Sequence, residues 1–309
     1  MASVLVVGPP RSGTTWIARA LAASDGARYV HEPDGDNEPF ALRAKRNGPR
    51  YPVLTPGDDA PDLERLWRAA LAGGEPTRHP AGRLARYLFE RTPPAVRREA
   101  RRGARPGWRL RMSLRLARPL DVDEARPPSV VVAKSVHASL CVEWIAERFA
   151  PRVLLVQRSP LDVLASWDEL GIGLDPVEYE HLGRVAASRF GVTVPAASAP
   201  RVERQAGFLG TLLAAQRVAA AANPGWVTVD HETMVADPQA ELRRLAAALG
   251  VPIDAGATAF LECSNAPGEG YATQRVAADL HERWRRRFSD DDAAAALAVL
   301  ARFAVSGVG

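Results

Sequence analysis

The stretch Ser3-Val4-Leu5-Val6-Val7-Gly8-Pro9-Pro10-Arg11-Ser12-Gly13-Thr14-Thr15-Trp16 opens with an uninterrupted apolar run from Val4 to Val7. So short a run of branched residues suits a strand covered on both faces. Gly8, Pro9 and Pro10 end the run, and helical spacing of apolar residues takes over at 14–23. A strand that turns through glycine into a helix aims backbone N–H groups and the positive helix end at one point, which is a cradle for phosphate. Downstream, apolar runs at 27–31, 129–133, 152–157 and 226–230 alternate with helical patterns at 140–149, 161–170, 202–222 and 239–249. This rhythm predicts an α/β fold, a central parallel sheet flanked by helices, with ligands at the carboxyl ends of the strands.

The chain has 309 residues, 47% hydrophobic and 25% charged, enough to bury a substantial core. One domain over 1–309 is expected, carrying a mainly helical insertion at about 43–128 that is marked by Gly48-Pro49, Pro56-Gly57 and Pro93-Pro94. The segment 171–200 reads as a loop. The longest stretch without polar side chains, 293–301, is far shorter than the ~18 residues of a membrane span. Met1 leads straight into the first strand without a basic leader, which favours a cytoplasmic location. Cys141 and Cys263 stand outside any C-x-x-C spacing and read as two buried, inert thiols.

The net charge of +4 is too small to indicate nucleic-acid binding, and none is expected. Its distribution is uneven: thirteen arginines but only Glu90 and Glu99 lie between Arg78 and Arg118. Lysine occurs only at Lys45 and Lys134.

The first loop has the spacing G-x-x-x-x-G-K-[ST] with Thr14 in the lysine position, which disfavours a nucleoside triphosphatase or kinase. Arg11 is its one cation. Pro10, Arg11, Ser12, Gly13, Thr14 and Thr15 resemble the 5′-phosphosulfate loop, P-[KR]-S-G-[ST]-[TS], of sulfotransferases that use 3′-phosphoadenosine 5′-phosphosulfate (PAPS). A second strand–helix junction carries Arg158-Ser159-Pro160-Leu161-Asp162 and, further on, Ser166. Ser159 is placed to cap, Pro160 suits the first helical position, and Asp162 faces the positive helix end. Arg158 and Ser166 can converge on a phosphate monoester. This segment is similar to the 3′-phosphate motif R-x-P-x-D-x-x-x-S of the same family, and Val229 to Pro238 resembles its strand followed by a D-P helix start. The resemblance implies the P-loop-like sulfotransferase fold, PAPS as co-substrate, no metal, and sulfuryl transfer to an acceptor hydroxyl or amine.

In-line transfer needs a base beside the loop, and residues that end neighbouring strands are the candidates. Glu32, before Pro33, resembles the E-P turn of carbohydrate and bacterial sulfotransferases. His137, with an ordinary pKa near 6.5, lies in Lys134-Ser135-Val136-His137, similar to the K-T-H segment of cytosolic members but one residue longer. Lys134, at a strand tip, suits a sulfonate or a leaving oxygen. Arg275, beside Gln274, and the run Trp284-Arg285-Arg286-Arg287-Phe288 are candidates to close the nucleotide site, although the family's R-K-G form is absent.

The acceptor class is a small molecule, glycan or lipid, and the arginine-rich insertion leaves room for an anionic one. Tyr51, Trp67, Tyr87, Phe89 and Trp108 either line an apolar pocket or complete the insertion's own core. Two rival classes are a P-loop kinase or hydrolase lacking the usual lysine, and a non-catalytic nucleotide- or polyanion-binding protein.

Overall fold

A computed structural model of the chain describes residues 2–172, 175–264 and 283–304. In chain order its elements begin β1 (Ala2–Val7), α1 (Thr14–Leu21), β2 (Ala27–His31), α2 (Pro39–Ala44) and α3 (Pro61–Leu71). There follow α4 (Pro80–Glu90), α5 (Pro94–Arg101), α6 (Trp108–Leu116), β3 (Val130–Ser135) and α7 (Val142–Phe149). Next come β4 (Arg152–Gln157), α8 (Pro160–Glu169), α9 (Pro176–Phe190), α10 (Arg201–Ala222) and β5 (Val227–Asp230). The last are α11 (His231–Ala236), α12 (Pro238–Leu249), α13 (Ala255–Ser264) and α14 (Asp290–Ala301). The strands order β2-β3-β1-β4-β5, the expected α/β sheet. The chain divides into two compact units, one of residues 2–7 and 25–153, the other of residues 8–24 and the described residues from 154 on.

In the first unit β3 runs parallel to both β1 and β2, pairing Lys134 with Val6 on one side and His31 on the other. All six residues of β3 are buried, as a strand flanked on both edges requires. The strand extends two residues beyond the apolar run, so Lys134 and Ser135 form its carboxyl end, and both are buried. Helices α2, α4, α5 and α6 close their own core around Leu42, Phe89, Ala100, Leu110 and Leu114. The Ser113 hydroxyl in that core donates to the carbonyl of Ala85 at 2.7 Å.

In the second unit β4 and β5 pair in parallel. The long α10 is buried on most sides, and Gly210 faces the Phe303 ring where a Cβ would lie 2.5 Å from Cδ2. Residues 171–200 hold α9 in place of the expected loop. Its apolar side, Tyr179, Leu182, Val185 and Ala186, keeps the helical three-and-four spacing, with Asp175 and Pro176 as a start signal and Gly191 in the left-handed conformation as a stop. Cys141 is buried as expected, but Cys263 is exposed on α13. No helix among the described residues is long and apolar enough to cross a membrane.

The Asp175 carboxylate accepts from the backbone N–H groups of Val177 and Glu178. Asp175→Ala is expected to lower the unfolding free energy by about 1 kcal/mol, read as a lower urea midpoint at unchanged slope.

Candidate active site

The first loop lies in the second unit and is bent by two left-handed residues, Arg11 at φ 71° and Gly13 at φ 95°. Ser12 N–H donates to the Pro9 carbonyl at 3.1 Å, and Gly13 caps α1. A Cβ on Gly8 would lie 2.5 Å from Ser12 Oγ and 2.8 Å from the Val156 carbonyl, and one on Gly13 would strike the His231 ring. Both glycines are therefore needed for close approach of the backbone, beyond their conformational freedom. Ser12 and Thr14 are buried, and Ser12 Oγ has no hydrogen-bond partner among the described residues. A buried hydroxyl left unsatisfied in a loop of N–H groups is what an anion would complete.

The second junction meets the first through three bonds. Arg11 Nε donates to Ser166 Oγ at 3.1 Å, Arg158 Nη1 donates to the Arg11 carbonyl at 3.0 Å, and Trp167 Nε1 donates to the Pro10 carbonyl at 2.8 Å. The structure thus gathers Pro10, Arg11, Ser166 and Arg158 into one constellation. Ser159 stands at the start of α8 but makes no side-chain cap. Its backbone N–H instead donates to Glu232 Oε1 at 2.9 Å, so a carboxylate from α11 does the capping. A pocket here is lined by Arg158, Asp162, Ser166, Arg286 and Arg287. Arg287 Nε bonds Asp168 at 2.6 Å and the backbone N–H of Trp284 bonds Asp162 at 3.2 Å, which holds this C-terminal turn against α8. Arg286 and Arg287, from the basic run 284–288 that the sequence offered as a candidate, line this pocket, while Arg275 lies outside the described residues.

His231 was missed as a site residue. It is buried beneath Gly13 and packs edge-on to Trp16 at 6.0 Å. Burial, aided by the Arg158 charge, pushes its pKa down to about 3, so it supports the loop as a neutral ring. Trp16 Nε1 also donates to Ser264 Oγ at 2.7 Å.

In the first unit, the carboxyl ends of β2 and β3 bring together Glu32 and Lys134, which form an ion pair. Glu32 is a second non-glycine residue in the left-handed region, at φ 40°, and its N–H extends the ladder to the Lys134 carbonyl at 2.8 Å. Such backbone costs about 1–2 kcal/mol and marks sites where side-chain aim matters more than comfort. Burial alone would raise the Glu32 pKa, but the Lys134 ammonium, with His31 and Arg50 behind it, holds it below the ordinary value.

Behind this pair the Ser135 hydroxyl faces both Asp34 oxygens at 2.8 Å and accepts from the N–H groups of His137, at 2.9 Å, and Ala138, at 3.1 Å. His137 is buried against Tyr51, and neither ring nitrogen has a hydrogen-bond partner among the described residues. Burial first, then the charges of Arg50, Lys45, Lys134 and Arg101, push its pKa well below 6.5. The pKa expected from its unperturbed value is thereby corrected: in this setting the ring stays neutral. Burial likewise raises Asp34 to about 6, against the pull of Lys45 and Ser135 and with Glu32 adding to the rise. Among the described residues no three His, Cys, Asp or Glu side chains cluster as metal ligands.

A sequence profile described as "Sulfotransferase family" matches residues 3–255, and the chain belongs to that family. No curated protein sequence matches it. Among solved structures it is similar to the sulfotransferase domain of the Synechococcus PCC 7002 olefin synthase, at 14% identity over 99% of this chain and 95% of that one, with a TM-score of 0.46. The sulfotransferase domain from the curacin biosynthetic pathway is similar at 12% identity over 97% of both chains, TM-score 0.45. Sulfotransferase STF9 from Mycobacterium avium is similar at 16% identity over 93% of this chain and 76% of that one, TM-score 0.41.

Between its ordinary pKa of 3.8 and about 6, Asp34 binds a proton in the native state but not in the unfolded chain. Its contribution to stability is therefore fully present below the lower value and is lost as pH rises through the upper one. Asp34→Asn removes that slope. Urea titrations are expected to show the variant gaining on the wild type by on the order of 2 kcal/mol between about pH 4 and pH 7, and a constant difference would contradict this.

Proposed function

We propose that this chain transfers a sulfuryl group from PAPS to a hydroxyl or amine of a small-molecule, glycan or lipid acceptor. The observation that carries the proposal is the meeting of Arg11, Ser166 and Arg158, which joins the two junctions expected to hold opposite ends of one nucleotide. The loop amides and the hydroxyls of Ser12, Thr14 and Thr15 take the 5′-phosphosulfate. Arg158 and Ser166 take the 3′-phosphate, with Arg286 and Arg287 as further cations. Thr14 in the lysine position weighs against a triphosphate donor.

In the step itself the acceptor O–H loses its proton to Glu32, the acceptor oxygen forms a bond to sulfur, and the bond from sulfur to the phosphate oxygen breaks. The 5′-phosphate leaves with the electron pair, and Arg11 with the loop N–H groups stabilises the charge it gains. A loose transition state asks little of the base until late, so an ionised carboxylate is adequate. The Lys134 ammonium keeps Glu32 ionised and able to accept that proton. His137, neutral and enclosed, is assigned no proton transfer. Its backbone N–H holds the turn that follows β3 through the Ser135 hydroxyl.

Thermal unfolding with 3′-phosphoadenosine 5′-phosphate in the absence of magnesium is expected to show stabilisation. Stabilisation by ATP with magnesium alone would support a kinase or hydrolase instead. Arg11→Ala and Arg158→Ala should each weaken that nucleotide by about 10- to 100-fold in calorimetry, as loss of a charge-assisted contact predicts. Glu32→Gln should leave nucleotide affinity within about threefold but lower kcat by at least about 100-fold with labelled PAPS and the acceptor drawn from a cell extract. Unchanged nucleotide affinity in both arginine variants would overturn the site assignment.

A further inference from the structure

We infer that helices α4 and α6 form a docking face for the surface of an anionic lipid bilayer. Eight large apolar side chains are exposed among the described residues, and five of them, Leu84, Tyr87, Val96, Trp108 and Met112, fall within one short segment. Trp108 is 63% exposed and Tyr87 50%. These rings are not leftovers of a poorly closed core, because the inner sides of the same helices bury Phe89, Leu110 and Leu114 and share the Ser113–Ala85 bond. The five expected aromatic positions therefore part company: Tyr51, Trp67 and Phe89 are core, whereas Tyr87 and Trp108 face water.

Arginines accompany the exposed apolar groups. On α4, Arg83 adjoins Leu84, and Arg91 lies over the Tyr87 ring at 3.5 Å. On α6, Arg109 lies 5.4 Å from the centre of the Trp108 ring, and Arg111 and Arg115 follow on exposed positions. Arg86, Arg101 and Arg102 are committed to Glu38, Asp36 and Glu99, but among the described residues no carboxylate lies within ion-pair distance of Arg83, Arg109, Arg111 or Arg115. Charge complementarity thus selects an anionic partner. A nucleic acid or soluble polyanion would satisfy the guanidinium groups yet leave Leu84 and Met112 in water. The interface of a bilayer accepts both, with rings and aliphatic groups at headgroup depth and arginines on lipid phosphates. Attachment of this kind needs no membrane-crossing helix, and it is independent of the reaction proposed above.

The test is cosedimentation of the full chain with vesicles of phosphatidylcholine and phosphatidylglycerol at about two to one, and with phosphatidylcholine alone, at low and high salt. The chain is expected to pellet with the anionic vesicles and not the neutral ones, and less so at high salt. Trp108→Ala with Met112→Ala should lower partitioning at least about fivefold. Arg83→Glu with Arg109→Glu and Arg115→Glu should lower it by more than about 100-fold, whereas Arg243→Glu on α12 should change it by less than about fivefold. Circular dichroism of each variant verifies folding. Failure to pellet with anionic vesicles, or binding indifferent to the apolar pair, overturns the proposal. So does tighter salt-sensitive binding to a DNA duplex, or a dimer in sedimentation equilibrium that Trp108→Ala converts to monomer.

Discussion

Arg11 is held at both of its ends, and the joining of the first loop to α8 depends on it. Its guanidinium reaches Ser166 on α8, while its carbonyl receives Arg158, a residue 147 positions away in sequence. Neither junction alone would define a nucleotide site, since a helix start with one arginine is commonplace. Joined, they form the constellation that the proposed nucleotide would span, and the left-handed backbone of Arg11 is the strain accepted for the geometry. Gly8 and Gly13 follow from the same requirement, because side chains there would occupy the space in which loop and neighbours meet.

A comparable economy governs the other unit. The chain uses arginine almost everywhere, and its two lysines are both buried against carboxylates, Lys45 against Asp36 and Lys134 against Glu32. The charge of a buried ammonium compels a partner, because an isolated buried ion is costly. Glu32, Asp34 and Asp36 meet that demand in different ways. Glu32 and Asp36 are kept ionised by cations that outweigh burial, while Asp34 remains dominated by burial. Neighbouring carboxyls with opposed proton affinities let one stretch of chain hold an ionised carboxylate near a carboxyl that protonates near pH 6.

The positions of all five strands were legible from short runs rich in branched residues; β1, β3 and β4 are largely buried and tolerate little else, while β2 and β5 at the edges are partly exposed. Legible too were the two strand–helix junctions at 8–14 and 158–162, whose glycines and prolines act within a few positions of one another. Helix α9 escaped because its apolar side is carried by four well-spaced residues amid polar ones, although Asp175 and Pro176 had marked its start. Lys134 was legible as a residue at the end of its strand, but its burial against Glu32 was not, because that pairing joins positions 102 residues apart.

Local chemistry in the sequence determined the α/β rhythm, the phosphate-type loop and the residues available for the reaction. Tertiary structure alone decided that Arg11 meets Ser166 and Arg158, that His137 loses its useful pKa, that His231 supports the loop, and that Tyr87 and Trp108 face outward. The division has one physical cause. Backbone preference and apolar periodicity act over a handful of neighbouring residues, whereas desolvation and charge pairing are set by whatever the folded chain brings alongside, however distant in sequence.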